Sequence, residues 1–180
     1  MKTYIVLLRG VTPTGKNKVP MAQLREVLVE AGFSNVRTYI QSGNALVETE
    51  LSASEVESRV HDLIQKRIGP DLAVIARTSA ALQRVLADNP FQQDYDISRV
   101  FFVQFAQAPN PEKVRELVAH DFENEKLVIA NNAAYMYIPG SYGRGKLSGN
   151  FLEKKLGVSA TTRNFNTLTK LVELAGRAGK

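Results

Sequence analysis

VRTYIQSGNALVET, residues 36 to 49, is the stretch whose reading decides the fold. Val36 to Ile40 and Ala45 to Thr49 read as two strands, and Gln41-Ser42-Gly43-Asn44 between them offers a Gly and an Asn that tolerate the positive φ of a tight hairpin. Upstream, Pro20 opens a helix with Leu24, Val27, Leu28 and Ala31 on one apolar stripe; Gly32 stops it, with Phe33 set to fold back on the last turn. Before that helix, Tyr4 to Leu8 is an apolar strand closed by Arg9. Downstream, Ser52 with Glu55 and Ser54 with Glu57 are capping signals for a helix that buries Val56, Val60, Leu63, Ile64 and Ile68. Gly69-Pro70 ends it, and Leu72 to Ala76 is an unbroken apolar run before Arg77. Residues 3 to 77 therefore spell β-α-β-β-α-β, the order of a ferredoxin-like unit, expected as one four-stranded sheet with two helices on one face. RNA-recognition modules share that order but stack bases on exposed aromatics of the central strands, and Ala45-Leu46-Val47 supplies none.

Ser79 can cap a short helix carrying Leu82, Val85 and Leu86, which Asp88-Asn89-Pro90 stops. The polar stretch after Pro90 marks the expected boundary, giving a ferredoxin-like α+β subdomain over residues 1 to 90 and a second α+β subdomain with C-terminal helices over 91 to 180. Val100 to Phe105 reads as a strand, Asn110-Pro111 caps a helix with Val114, Leu117 and Val118, and Lys126 to Ala130 with Ala134 to Ile138 form a hairpin over Asn131-Asn132. From there the second half is expected to depart from the first, adding helices near Ser148 to Leu156 and Asn166 to Ala175. No linker is long enough to make the halves independent, so they are expected to pack together.

Chemistry is concentrated in three basic stretches. RGVTPTGKNKVP, residues 9 to 20, runs from a strand into a helix and carries Arg9, Lys16, Asn17 and Lys18 where free backbone N–H groups can face an anion. Its segment GVTPTGKN is one residue short of the phosphate-cradling pattern G-x-x-x-x-G-K-[ST]. A nucleotide triphosphatase is rejected, because Asn17 replaces the magnesium-binding hydroxyl and Lys18, Val19 and Pro20 delay the helix. SYGRGKLSGN, residues 141 to 150, is a second Gly-rich turn with Arg144 and Lys146, and Ser148 as cap of the following helix. TTRNFNT, residues 161 to 167, precedes the last helix; Asn164 or Asn166 can cap it, leaving Arg163 and Lys170 as candidate ligand contacts.

LLRGVTPTGKNKVPMAQL, GFSNVRTYIQSGNALVE, GRGKLS and ATTRNFNTLTKL occur in that order, and together they resemble the bacterial domain-of-unknown-function family numbered 1697. The family pattern RGxNxGGKN is met here with Thr12 in place of the Asn and Thr14-Gly15 in place of the Gly-Gly pair. The resemblance implies a two-part α+β chain and no particular activity.

Composition bounds the function. The 180 residues are 44% apolar, enough for an ordinary core, and contain no cysteine, which removes disulfides, thiolate zinc sites and cysteine nucleophiles. The apolar run Tyr4 to Leu8 is too short for a signal peptide or a membrane span, so a soluble cytoplasmic protein with no membrane partner is expected. Net charge is +5 and uneven: residues 1 to 25 hold five Lys or Arg and no acid, residues 26 to 125 nine against sixteen, and residues 126 to 180 nine against two. Basic ends on one face would present a positive potential to a polyanion. Catalysis has little to stand on, since neither His61 nor His120 lies in a basic loop and the acids after residue 125 are Glu153 and Glu173 alone. No spacing of His, Asp and Glu suggests a metal, and no cofactor is expected.

These residues support a noncatalytic protein that binds a phosphate-bearing polyanion, nucleic acid or nucleotide, in a basic cleft between the halves. Arg9, Lys16, Asn17, Lys18, Gln41, Ser42, Asn44, Arg144, Lys146, Arg163, Asn164 and Lys170 are its expected ligand contacts. Two alternatives stand beside it: a small-molecule enzyme whose basic loops clamp a phosphorylated or carboxylated substrate, and an interaction module whose basic ends meet the acidic middle of another copy. Tyr135 and Tyr137, on one strand face, are candidates for base stacking.

Overall fold

The structure, a computed structural model, describes residues 1 to 177. The chain divides into two compact units, Met1–Gln83 with the segment from Lys170 onward, and Arg84–Thr169. The division falls inside a helix rather than at the polar stretch after Pro90, and the C-terminal half of the last helix goes with the first unit.

The first unit runs β1 (Lys2–Leu8), α1 (Met21–Glu30), β2 (Ser34–Thr38), β3 (Asn44–Thr49), α2 (Ala53–Arg67), β4 (Val74–Thr78) and the start of α3 (Ser79–Ala87). Its four strands form one antiparallel sheet in the order β2-β3-β1-β4, which fits the ferredoxin-like arrangement. Alternation fixes the faces: Tyr4, Val6 and Leu8 of β1, Ala45 and Val47 of β3, and Val74 and Ala76 of β4 meet Leu24 and Leu28 of α1 and Val56, Val60 and Ile64 of α2. Both helices thus cover one face, as expected. The other face, Ile5, Leu7, Leu46 and Ile75, is equally closed to solvent. On this unit the Arg37 guanidinium of β2 donates to the carbonyl of Leu174 at 2.8 Å.

The end signals act as their chemistry requires. Ser52 accepts from the Glu55 N–H while the Glu55 carboxylate accepts from the Ser52 N–H at 2.7 Å, a complete capping box. Gly32, at φ +90, lets Phe33 donate back to the carbonyl of Leu28 and bury its ring. Glu57 does not cap; its carboxylate accepts the Ala76 N–H at 2.9 Å and pairs with Arg77 at 3.2 Å. Thr78 rather than Ser79 caps α3, through the Ala81 N–H.

His61 of α2 is held between Asp71 at 2.8 Å and Asp62 at 3.2 Å, and the Asp71 hydrogen bond, with that of Asp62, raises it above its ordinary value of 6.5. A group held up in this way adds stability that is present below its unfolded value and disappears as pH rises through its folded value. Thermal melts of wild type and His61→Gln will therefore differ more at pH 6 than at pH 8. A gap independent of pH would remove His61 from the account.

The second unit contains β5 (Val100–Phe105), α4 (Pro111–Val118), β6 (Lys126–Ala130), β7 (Ala133–Tyr137), α5 (Gly149–Leu156) and β8 (Ala160–Asn164), leading into α6 (Phe165–Gly176). Its sheet has the order β6-β7-β5-β8, again antiparallel. Here the structure corrects the sequence reading: the second half does not depart from the first but repeats its element order. The element that was not foreseen is β8, Ala160-Thr-Thr-Arg-Asn164, read as a turn because its residues are polar. The repeat extends to details. Ser148 caps α5 through the Phe151 N–H as Ser52 caps α2, and Glu153, like Glu57, reaches from its helix to accept a backbone N–H of the last strand, that of Ala160 at 2.7 Å.

Candidate functional site

In the first unit, the loop after β1 and the turn before β3 meet. The Leu8 N–H donates to the carbonyl of Gly43 at 2.8 Å, and Gly43 sits so close that a side-chain carbon there would lie 2.7 Å from Val11 Cγ2 and 2.8 Å from Leu8 Cβ. Only glycine fits, and its φ of +88 suits glycine as well. The loop is then tied to itself: the Thr12 N–H donates to the Asn17 carbonyl, the Lys18 N–H to the Gly15 carbonyl and the Thr12 hydroxyl to the Thr14 carbonyl. Arg9 donates through its N–H to Ala73, next to β4. Helix α1 begins only at Met21, after Lys18-Val19-Pro20, so the Gly15-Lys16 pair does not lead into a helix as the triphosphate-binding pattern demands. Pro20 stands at the N-cap, and no side chain caps that end.

Residues of this corner divide by what they already hold. Lys16 and Lys18 are exposed, and their ammonium groups make no ion pair or hydrogen bond to the described residues. Gln41 and Ser42 are exposed at the turn. Asn44 is fully buried and its amide holds the turn, donating to Tyr39 O at 3.1 Å and Ser42 Oγ at 3.0 Å. Asn17 is half-buried beside Gly10.

In the second unit, the 141–150 loop lies against β8 and the start of β5. Tyr142 packs on Phe101 with ring centroids 4.6 Å apart, its hydroxyl accepts the Gly149 N–H, and Gly149 faces Thr162. Arg144 is exposed at the tip. Lys146 is paired with Glu123 at 3.0 Å, and that carboxylate raises the ammonium above its ordinary value. Asn164 is the cap of α6, accepting the Thr167 N–H at 2.8 Å. Lys170, which goes with the first unit, pairs with Glu173 at 3.3 Å. Arg163 lies within β8 opposite Phe102, not in a turn. Its side chain is buried and donates to the Thr161 hydroxyl and the Thr162 carbonyl, and burial pushes it down to about 10. The expectation of three basic turns at helix N-termini is thus corrected to two loops and one strand.

Tyr135 is not available for stacking: it is buried, donates to the Val85 carbonyl at 2.8 Å, and desolvation pushes its phenol up to about 12. Tyr137 packs edge-on to Tyr95 at 4.8 Å. His120 accepts its role from the helix end, with Nδ1 2.8 Å from the Glu116 carbonyl. Among the described residues no group of three or more His, Cys, Asp or Glu could hold a metal ion, and no helix is long and apolar enough to cross a membrane. The signal missed in the sequence was Glu125, which is buried and accepts the Leu147 N–H at 2.7 Å, anchoring the second basic loop from a position 22 residues earlier.

The model of a family described as a protein of unknown function, DUF1697, matches residues 1–135. A solved structure, that of conserved bacterial protein SP0830 from Streptococcus pneumoniae, is similar with a TM-score of 0.71 and 21% identity over 96% of this chain and 98% of that one. At that identity the likeness speaks for the fold. No curated protein matches the chain.

Proposed function

The chain belongs to the DUF1697 family, and from that premise we propose that it binds a phosphate-bearing ligand, nucleic acid or nucleotide, through the loop at residues 9–20. One observation carries the reading. Lys16 and Lys18 stay unpaired in a loop held in place by its own backbone bonds and by Gly43, ahead of a helix whose N-terminal N–H groups no side chain caps. The other candidate cations contrast with them, because Lys146 and Lys170 already face carboxylates and Arg163 is buried. Gln41 and Ser42 stand at the adjoining turn, where amide and hydroxyl groups suit phosphate or sugar oxygens. The cytoplasmic setting suggested by a cysteine-free sequence belongs to the same proposal.

Affinity for a labelled duplex, a single strand and a mononucleotide, each measured at stepped salt, tests the reading. With Lys16 and Lys18 on two duplex phosphates, the log-log slope is expected near roughly −2, from about −0.9 per phosphate. Lys16→Ala or Lys18→Ala then removes about one unit of slope and weakens all sequences alike. A flat salt dependence, or affinities untouched by both substitutions, rejects the site.

A further inference from the structure

The two four-stranded sheets have four edges, β2, β4, β6 and β8, and three of them are blunted. β2 carries a register shift between Ser34 and Arg37, with Asn35 in the left-handed region at φ +47. On β4 the Ala76 N–H is taken by Glu57, and on β8 the Ala160 N–H is taken by Glu153. β6, Lys126-Leu-Val-Ile-Ala130, has none of these devices: it pairs with β7 in unbroken register, holds no proline, and carries its single charge at one end. Val128 is 37% exposed at its centre, and Val118, on the helix packed over this strand, is 44% exposed.

The turn determines which backbone groups face outward. Asn131 and Asn132 form a two-residue loop, with Asn131 at φ +55, so Ala130 and Ala133 close the ladder as a hydrogen-bonded pair. Pairs then alternate along an antiparallel ladder, so Lys126, Val128 and Ala130 bond to β7 while Leu127 and Ile129 direct their N–H and C=O groups to the open edge.

We propose that β6 pairs antiparallel with β6 of a second copy of this chain, about a two-fold axis at Val128. In that register Leu127 faces Ile129 of the second copy and the two exchange both hydrogen bonds, which satisfies every outward group of the strand's centre. Val128 meets its own counterpart on the axis as a close, non-hydrogen-bonded pair, a favourable match for two β-branched side chains. The charges do not oppose this register: Lys126 lies opposite Ala130 of the second copy, so the two lysines are kept at opposite ends. A parallel pairing would place the strands' lysines at the same end. The two sheets then become one continuous antiparallel sheet with β8 at each outer edge, already covered by Glu153.

Sedimentation equilibrium of the full chain, across a wide concentration range, tests this with two charge variants. Val128→Lys and Val128→Glu are on an exposed position, and each is expected to weaken dimerisation by roughly tenfold or more, because like charges would stand opposite on the axis. Mixed together, the two variants are expected to form a heterodimer, since only a position that meets itself converts repulsion into attraction by mixing. Circular dichroism of each variant checks that the fold is kept. The proposal is overturned by a wild type that stays monomeric at high concentration, by a dimer indifferent to both substitutions, or by variants that fail to associate on mixing.

Discussion

Gly43→Ala is expected to lower the melting temperature by roughly 6 to 12 °C, from a destabilisation of about 3 kcal/mol, and to weaken the phosphate binding proposed for the 9–20 loop. Two costs add. A side chain at φ +88 is disfavoured by about 1 to 2 kcal/mol in the left-handed region. The new carbon, 2.7 Å from Val11 Cγ2 and 2.8 Å from Leu8 Cβ, then pushes against the end of β1 and the beginning of the basic loop, an overpacking of about 1 to 3 kcal/mol. Leu8 cannot swing away at small cost, because it is fully buried in the first unit's core, and Val11 is packed against that same core. Gly15→Ala is the control: its φ is +82, but nothing lies within 4 Å of the added carbon, so only the conformational cost of about 1 to 2 kcal/mol applies. Melting curves and phosphate titrations of the two variants separate the effects. Equal losses in both would mean that the contact between turn and loop contributes nothing.

Much of the first unit was legible in the sequence because its signals are local. The stripe of α1, the Gly32 stop and the Ser52 capping box each lie within one or two turns of chain, and the structure realises all three. Strand ends slipped by two residues at Val36–Ile40 and at Leu72–Ala76, where the turn residues, not the apolar run, set the limit; Ile40 sits in the turn itself at φ +48. β8 was hidden for a different reason. An edge strand that buries Thr161 and Arg163 shows no apolar alternation, and the partners that make those polar side chains tolerable there are invisible to periodicity. Missing that strand concealed the repeat of element order between the two halves.

The site was legible as residue types and not as pairings. Lys16, Lys18, Lys146 and Lys170 look alike in sequence, yet only the first two are left unpaired among the described residues. What distinguishes the others is a carboxylate brought in by the fold: Glu123 from before β6 reaches Lys146, and Glu173 pairs with Lys170 only because both lie on one face of α6. Burial did the same for Arg163, which β8 turns away from solvent. A count of cations therefore overstates a binding surface wherever acids from other elements can reach it, and the loop proposed for the ligand is the one in a stretch of sequence with no acid at all, residues 1 to 25.

The second basic loop depends on a buried carboxylate, and Gly145→Ala is expected to reveal it by costing about 2 to 3 kcal/mol, a fall of roughly 5 to 10 °C in melting temperature. Gly145 has no positive φ, so conformation gives no reason for glycine there; the reason is Glu125, whose Oε1 lies 1.6 Å from where the added carbon would be. Glu125 can move, but it is 8% exposed and its carboxylate holds the N–H of the fully buried Leu147. Swinging it out leaves that donor unsatisfied, a penalty of about 1 to 3 kcal/mol. The two positions must then be coupled. Glu125→Ala alone already loses the bond to Leu147 and should itself destabilise by a similar amount, and adding Gly145→Ala in that background should cost almost nothing further, since the obstructing oxygen is gone. A double-mutant cycle by chemical denaturation reads this directly: strictly additive losses would show that Gly145 and Glu125 do not act through one another, and the second basic loop would need another anchor.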